Sequence, residues 1–291
     1  LRTDASSIRP ERRTAGDMMR NFPAEKIMYD QNTISKAIHT KWAGKTVHFA
    51  KETDSTNNWV KNLSRQGAPH GTLAAAEFQS AGKGRMGRVW KAPEGSSVMM
   101  SLLLRPDFAP QYASMLTLVM GLSVAQAVED LDIRTSIKWP NDVVVSRKKI
   151  CGILTEMGLE EGRIREVVIG TGINVNTETF PIRLQDKATS LFLETGKRFD
   201  RNRLIGLVME KFENNYEKFI RTCDLSLMME DYNKLLANKG KQVRILDKNQ
   251  PFEGIALGIN EAGELLVRTG AEKICAVRAG EVSVRGLYSY V

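Results

Sequence analysis

The chain has few of the residues on which metal centres, disulfide frameworks and histidine-based catalysis depend. Its three cysteines, Cys151, Cys223 and Cys275, are widely separated and odd in number, so neither a disulfide framework nor a zinc site is indicated. Only three histidines occur in 291 residues, which disfavours a histidine metal centre and a Ser-His-Asp hydrolase. We therefore expect the chemistry of this chain to come from other residue types.

Long apolar runs are also scarce. The longest, residues 116–128, is shorter than the roughly 20 residues that a membrane helix needs, and no signal-peptide pattern opens the chain. We expect no membrane association and a cytoplasmic location. The formal charge of +8 favours an anionic partner, such as nucleic acid, a phosphorylated small molecule or an acidic protein. The same charge is equally typical of a surface that only keeps a protein soluble.

Three segments with different patterning divide the chain. Residues 1–26 lack apolar periodicity and are rich in arginine, which predicts a flexible basic extension. Residues 27–238 predict an α+β domain with flanking helices, and hairpin-type turns between its strands favour a mixed or antiparallel central sheet over a doubly wound one. Residues 239–291 contain five short alternating runs, which is typical of a small SH3-like β-barrel.

The apolar periodicity of residues 27–238 predicts the positions of strands and helices. At its start, Asn32 is expected to cap a short helix that places Ile34, Ala37 and Ile38 on one face. The predicted strands are Thr72–Phe78, Val98–Leu104, Ile137–Val145, Ile150–Met157 and Val167–Val175. The predicted longer helices are Tyr112–Leu131, Arg201–Arg221 and Leu225–Leu236.

A glycine-rich basic loop, QSAGKGRMGRVW at 79–90, is the most informative motif. Its glycines and cations alternate as Gly82, Lys83, Gly84, Arg85, Gly87 and Arg88. Glycine lets the backbone approach a ligand closely, and the cations between the glycines would face its negative charge. The pattern indicates phosphate binding, although it is neither a P-loop nor a dinucleotide fingerprint. A flexible basic surface loop without a ligand is the alternative.

Three further motifs are candidates for the same site. Lys138, in KWPND at 138–142, and Lys149 lie among apolar residues, which is costly unless an anion is near; the alternative is edge-strand charge that blocks aggregation. The run ETDSTN at 52–57 is either a ligand site or a helix N-cap. Residues 170–174 are either a turn or a place where the backbone meets a ligand.

Six motifs in their order resemble those of the bacterial biotin protein ligases. They are ETDSTN at 52–57, QSAGKGRMGRVW at 79–90, KWPND at 138–142, KKICGIL at 148–154, GTGINVN at 170–176 and GEVSVRG at 280–286. The resemblance implies the fold that class II synthetases share with biotin and lipoyl ligases. It also implies an enzyme that uses ATP, biotin and Mg²⁺ to form biotinoyl-5'-AMP. That enzyme would then transfer biotin to a lysine of a biotin carboxyl carrier domain, such as that of acetyl-CoA carboxylase.

The resemblance implies a role for each matching residue. The catalytic residues would be Arg85, Lys138, Asp142 and Lys149, with Asp142 also the candidate Mg²⁺ ligand. The biotin-binding residues would be Ser55, Thr56, Asn57, Gln79, Lys83, Gly84, Arg85, Lys149 and Gly152. The ATP and adenylate residues would be Gly82, Gly87, Arg88, Trp90, Lys138, Asn141, Asn174, Glu281 and Arg285. The family loop usually has arginine where this chain has Lys83, which keeps the charge but loses the guanidinium fork.

Two alternatives within the family remain. Some members carry an N-terminal winged helix and repress transcription; here only one short helix is predicted before the first motif, so we expect no complete winged helix and no specific DNA binding. A lipoate or octanoate ligase of the same fold is the second alternative. Many members pair through the central sheet, so the resemblance is compatible with a homodimer.

Overall fold

The computed structural model describes residues 28–246, 251–270, 273–279, 283–286 and 291, which form two β-sheets with flanking helices. The larger sheet contains β1 (Val47–Thr53), β2 (Leu73–Gln79), β3 (Ser97–Leu104), β4 (Ser136–Lys138), β5 (Asp142–Val145), β6 (Lys148–Glu160) and β7 (Arg163–Asn174). The helices are α1 (Gln31–Ala37), α2 (Thr56–Arg65), α3 (Leu116–Glu129), α4 (Leu191–Thr195), α5 (Arg201–Thr222) and α6 (Met229–Leu235). The smaller sheet contains β8 (Gln242–Leu246), β9 (Phe252–Ile259), β10 (Leu265–Arg268), β11 (Ile274–Val277) and β12 (Ser283–Gly286). The predicted extension, residues 1–26, lies outside the described residues.

The larger sheet is mixed, which is one of the two arrangements that the sequence predicted. Its strand order is β1-β2-β3-β7-β6-β5-β4, with β1 parallel to β2 and antiparallel pairing between the other neighbours. The parallel pair is joined by α2, because parallel strands need a crossover connection. Tight turns join β5 to β6 and β6 to β7, with Arg147 and Gly162 among the residues in the left-handed conformation that such hairpins need.

The central helix of the core is α3, which lies between the larger sheet and α5. The segment Pro110–Glu129, which includes α3, is long and apolar enough to cross a membrane by length and composition alone. However, its apolar side chains are buried inside this domain, among them Leu116, Val119 and Val124 at 0% exposure. It is therefore the buried core helix that an all-round apolar sequence indicates.

Four predicted elements differ from the structure. The cap of α1 is Asp30 instead of Asn32, because the Asp30 carboxylate accepts the Thr33 N–H and the Thr33 hydroxyl faces back to it in a capping box. The predicted strand Ile137–Val145 is two strands, since Pro140 has no N–H for a strand ladder and the chain turns there. Two predicted helices start later than expected: Tyr112–Leu131 begins as a 3₁₀ turn before α3, and Leu225–Leu236 contains α6 only from Met229.

A buried carboxylate ties α5 to the segment before β1. Glu213 accepts hydrogen bonds from the backbone N–H groups of Lys41 (2.8 Å), Trp42 (2.7 Å) and Ala43 (3.0 Å). Burial raises the pKa of Glu213, but these three donors outweigh it and hold the pKa below its ordinary value. The carboxylate therefore stabilises the fold in its ionised form.

The first prediction is that Glu213→Gln lowers the free energy of unfolding by about 2 kcal/mol at pH 7, because an amide places N–H against N–H. Since folding depresses the pKa, this stabilisation is present above the ordinary value of 4.5 and is lost as the pH falls through the folded pKa. Urea unfolding at pH 7 and at acidic pH measures the difference between variant and wild type. A difference that does not shrink in acid would contradict this account.

The smaller sheet confirms the five C-terminal strands. Its order is β11-β10-β9-β8-β12, with antiparallel pairing throughout. Trp139, 1% exposed at the end of β4, donates its indole N–H to the carbonyl of Gly263 (3.0 Å), and Asn233 of α6 bonds the backbone of Ile259. The smaller sheet is thus joined to the segment that carries KWPND. Closure into an SH3-like barrel stays a prediction.

Candidate active site

A cavity of about 50 Å³ lies on the face of the larger sheet that also carries α2. It brings together motifs that are up to about a hundred residues apart in the chain. Most of the residues predicted to bind biotin or nucleotide line it. These are Ser55, Thr56, Asn57, Gln79, Lys83, Gly84, Arg85, Trp90, Asn141, Lys149 and Gly152, joined by Met100, Ile153, Leu154, Gly170, Thr171 and Gly172.

Glycines form the sheet floor of this cavity. A Cβ on Gly172 would lie 2.5 Å from the Trp90 ring, and a Cβ on Gly152 would lie 2.6 Å from Lys149 Nζ. A Cβ on Gly170 would collide with the side-chain oxygen of Asn57. Only glycine lets these side chains lie flat on the strands, so residues 170–172 are a close-approach surface and not merely a turn.

One wall of the cavity is formed by the polar side chains Thr56, Asn57 and Gln79, with the buried hydroxyl of Ser101 behind them. The Thr56 N–H donates to Gln79 Oε1 (2.7 Å), and the Thr56 hydroxyl lies 3.0 Å from the same oxygen. Ser101 Oγ lies 2.7 Å from Thr56 Oγ1 and 2.6 Å from Asn57 Oδ1. Ser55 is the N-cap of α2 without a side-chain cap bond, so the start of this helix is capped from β2 by Gln79. This wall can bind a compact polar ring.

Cations line the same cavity. Lys149 Nζ forms an ion pair with Asp142 Oδ1 (2.6 Å) and lies 5.6 Å from the centre of the Trp90 ring. Arg85 donates to Asn141 Oδ1 (2.9 Å). Burial lowers the pKa of Arg85, and the nearby charge of Asp142 opposes that effect. Because arginine stays protonated in proteins, Arg85 and Lys149 are cationic side chains of the lining that an anion can contact.

The basic loop folds over the cavity as a short ribbon. The Gly84 N–H donates to the carbonyl of Arg88 (2.7 Å), and the Trp90 N–H donates to the carbonyl of Gly82 (2.9 Å). A Cβ on Gly82 would lie 2.5 Å from the backbone carbonyl oxygen of Trp90, so the closed ribbon requires glycine at position 82. Lys83, at the position where the family usually has arginine, donates to Asn58 Oδ1 (2.6 Å) at the exposed outer side.

The remaining predicted residues lie outside the cavity lining. Lys138, 4% exposed on β4, lies opposite Asp142 on the neighbouring strand β5. Asp142 in turn contacts Lys149, which lines the cavity. Asn174 turns to the neighbouring segment and donates to the carbonyl of Thr189 (3.0 Å), which is a structural contact. Gly82, Gly87 and Arg88 belong to the loop ribbon, and Arg285 lies on β12. Glu281 is outside the described residues.

Sequence reasoning missed three polar residues on this face of the sheet. Ser101 on β3 lies directly opposite Gly170 on β7, and Glu156 on β6 accepts from Asn57 (2.7 Å) and pairs with Lys61 (2.6 Å). No local sequence motif marks these residues as parts of a site, because each is a single polar residue within a strand or a helix. The strand register would have found Ser101, since residues directly opposite share a face.

A larger cleft of about 760 Å³ opens beside the cavity and shares Arg85 and Leu154 with it. The other residues that line the cleft are Met86, Pro110, Ala113, Ser114, Thr117, Pro140, Thr155, Met157 and Ala279. Ala279 belongs to the C-terminal segment, so both parts of the molecule contribute to the cleft. The cleft and the inner cavity are thus neighbours that meet at Arg85 and Leu154.

Comparison with known proteins agrees with this geometry. Residues 49–174 match the biotin/lipoate A/B protein ligase family, and residues 240–285 match the biotin protein ligase C-terminal domain. The fold and site thus define a protein ligase of the biotin and lipoate class.

Similar proteins and solved structures place the chain more narrowly, among the biotin protein ligases. The bifunctional ligase/repressor BirA of Bacillus subtilis is 40% identical over 251 residues, which is 84% of this chain and 76% of that protein. The biotin protein ligase from Aquifex aeolicus in complex with biotin and ATP is 33% identical with a TM-score of 0.73, over 83% of this chain and 99% of that one. A Mycobacterium tuberculosis biotin–acetyl-CoA-carboxylase ligase is 33% identical over 239 residues, 79% of this chain and 86% of that protein. The chain belongs to the biotin protein ligase family, and it is a ligase.

Proposed function

We propose that this protein forms biotinoyl-5'-AMP from biotin and ATP and then transfers biotin to a lysine of a biotin carboxyl carrier domain. The observation that carries the proposal is that one cavity combines a polar wall, suited to a ureido ring, with the cations Lys149 and Arg85, suited to a carboxylate and a phosphate. The Aquifex aeolicus relative, whose structure was solved with biotin and ATP, supports these two substrates.

In the first step, an oxygen of the biotin carboxylate attacks the α-phosphorus of ATP, and the bond to pyrophosphate breaks. Two like charges about 4 Å apart repel by about 4 kcal/mol at an effective dielectric constant of 20. A fixed cation between them offsets a repulsion of this size. Lys149 is the proposed contact of both reacting groups, Arg85 holds the product phosphate, and Lys138 with Asn141 lies near the nucleotide.

The loop residues and Trp90 have a separate proposed role, which is to keep water from the adenylate. Gly82, Gly87 and Arg88 would form the ribbon that covers it, with Glu281, Arg285 and Asn174 as further nucleotide positions. Trp90 Nε1 is buried and has no hydrogen-bond partner among the described residues, so a ligand acceptor would satisfy it. Exclusion of water protects the mixed anhydride from hydrolysis.

Magnesium fits this site only together with nucleotide. No group of three or more His, Cys, Asp or Glu side chains that could hold a metal occurs in the described ranges. Asp142 offers one carboxylate beside Lys149, and Mg²⁺ commonly binds through one or two carboxylates plus substrate phosphates. We propose Asp142 as that ligand; the bound ion would neutralise charge on the departing pyrophosphate.

In the second step, the carrier lysine attacks the acyl carbon of the adenylate and AMP leaves. The lysine would enter through the 760 Å³ cleft, which meets the inner cavity at Arg85. Asp142 is the proposed group that orients the amine or takes its proton, because it is a largely buried carboxylate in contact with Lys149 of the cavity lining. An acidic carrier would suit the chain's formal charge of +8.

Several broader expectations belong to the same proposal. Residues 27–238 would form the catalytic domain and residues 239–291 the small domain, and the enzyme would act in the cytoplasm, with a homodimer compatible with the fold.

A repressor role is the second candidate function, because the Bacillus subtilis relative is named a ligase/repressor. A mobility shift with one DNA sequence that excess random duplex does not abolish would support it, and reduced transcription from that sequence would establish it.

The second prediction tests the reaction. Biotin should give ATP–pyrophosphate exchange, and a carrier domain should gain one biotin on a lysine, as measured by intact mass. A carrier with that lysine changed to arginine is the control. Lipoate should neither raise the melting temperature nor support exchange. Exchange with lipoate and not with biotin would replace this proposal with a lipoate ligase.

A further inference from the structure

An ion pair outside the cavity contacts a buried amide of the cavity wall. Asn57, 3% exposed, donates from Nδ2 to Glu156 Oε2 (2.7 Å), and Lys61 Nζ contacts Glu156 Oε1 (2.6 Å). The side chains of Lys61 and Glu156 keep about a quarter of their surface exposed, at 25% and 27%. They therefore lie between solvent and the cavity wall.

Two acceptors set which way the Asn57 amide faces: the Glu156 carboxylate at 2.7 Å and, at a longer 3.4 Å, the carbonyl of Leu154. Burial raises the pKa of Glu156, but hydrogen bonds from Lys61 and Asn57 outweigh it and lower the pKa, so the carboxylate is ionised near neutrality. An ionised carboxylate only accepts hydrogen bonds, so it must face the NH₂ group of Asn57. Asn57 Oδ1 is consequently held toward Ser101 as an acceptor.

At the other end of the wall, Gln79 Oε1 is fixed as an acceptor because it receives the Thr56 backbone N–H. Two hydroxyls, Thr56 and Ser101, lie between these two acceptors. They make three close contacts, of 3.0 Å to Gln79, 2.7 Å to each other and 2.6 Å to Asn57. Each hydroxyl has a single proton, so two protons serve three contacts and the wall is one donor short.

We propose that Glu156, anchored by Lys61 and acting through Asn57, keeps this wall one proton short and thereby makes the cavity select a ligand ring that donates N–H hydrogen bonds. This inference rests on the proposed function, in which that ring is the cyclic urea of biotin. A urea N–H supplies the missing donor, whereas a ring that offers only acceptors leaves oxygens facing oxygens. Glu156 is a positioning residue, because it acts through Asn57.

Glu156→Gln should invert this arrangement. Lys61 can only donate, so it takes the glutamine oxygen and leaves the glutamine NH₂ facing Asn57. Asn57 then turns its oxygen outward and its NH₂ toward Ser101, and gives up only the long 3.4 Å contact of that NH₂ with the Leu154 carbonyl. The wall gains its own donor, and the ligand N–H loses its acceptor.

The third prediction is a selective effect of Glu156→Gln on biotin. The KM for biotin should rise about tenfold, on the scale of one hydrogen bond, while kcat and the KM for ATP stay within about twofold. Wild type should prefer biotin strongly over an analogue with oxygen in place of a ureido N–H, and the variant should lose most of that preference. Steady-state pyrophosphate exchange with both ligands measures this.

Two further variants separate positioning from folding. Lys61→Met removes the ion pair but keeps the carboxylate, so its effect on the KM for biotin should be much smaller than that of Glu156→Gln. Glu160→Gln, at an exposed position of the same strand, is the matched control and should match wild type.

If the wild type is active, an unchanged KM for biotin in Glu156→Gln would overturn the inference. So would an unchanged preference for biotin over the oxygen analogue, or an equal rise in the KM for biotin and the KM for ATP. A wild type without biotin-dependent exchange would instead refute the proposed function, so the two failures are distinguishable.

Discussion

Arg85→Ala is expected to release biotinoyl-5'-AMP from the enzyme at least about tenfold faster than wild type. Arg85 lies where the inner cavity and the outer cleft meet, and its side chain is held by Asn141 (2.9 Å). A hydrogen bond to a charged group contributes about 1.5–3 kcal/mol, which corresponds to roughly ten- to a hundredfold in dissociation rate. Trapping the released adenylate after a single turnover measures this fourth prediction.

The control for Arg85→Ala is Lys91→Ala, which removes one positive charge from an exposed position just after the same loop. It should retain the adenylate like wild type. Arg85→Lys should fall between wild type and Arg85→Ala, because lysine keeps the charge but loses the guanidinium fork. Wild-type retention in Arg85→Ala would show that the loop does not hold the adenylate.

Lys149→Ala is expected to slow adenylation by about a hundredfold or more, which is the effect of losing one positioned donor at a developing charge. The amine of Lys149 lies on the glycine floor, 2.6 Å from Asp142 and beside Trp90. Rapid-quench measurement of pyrophosphate release in the first turnover tests this fifth prediction. The KM for ATP should change less than the rate of adenylation, because the contact of Lys149 with the reacting groups strengthens as the biotin carboxylate and the α-phosphate approach each other.

Loss of Lys149 also removes an ion-pair contact of Asp142 at a largely buried position, which can destabilise the fold. The double variant Lys149→Ala with Asp142→Asn also removes the negative charge that Lys149 balanced, and it should recover much of the lost melting temperature without recovering adenylation. Lys148→Ala, one residue earlier and outside the cavity lining, is the charge-matched control. Near-normal pyrophosphate release in folded Lys149→Ala would exclude the proposed role.

The parts of the site that lie on single motifs could be predicted from the sequence. The basic loop, KWPND and residues 170–172 each combine residue types whose local chemistry is unusual, such as glycine beside cations or lysine among apolar residues. The structure places Arg85, Lys149 and Gly152 in one cavity, as those motifs suggested. The antiparallel part of the sheet was predictable as well, because the turns at Arg147 and Gly162 have the composition of tight hairpins.

The parts that depend on strand register could not be predicted in the same way. Ser101 and Glu156 are ordinary residues until β3, β7 and β6 align and place them on the face that carries Asn57. Pairing of Asp142 with Lys149 likewise follows from the β5–β6 hairpin and its irregular register. Asn174 shows the opposite case, since its motif suggested a ligand contact while its amide bonds a neighbouring backbone carbonyl.

A crystal structure of the protein with biotin and a non-hydrolysable ATP analogue tests the central claim most directly. The account predicts the ureido ring against Thr56 and Asn57, the carboxylate at Lys149, and the α-phosphate within reach of Arg85. Biotin bound elsewhere, or bound here with its carboxylate turned away from Lys149 and the 82–88 loop open to solvent, would contradict it.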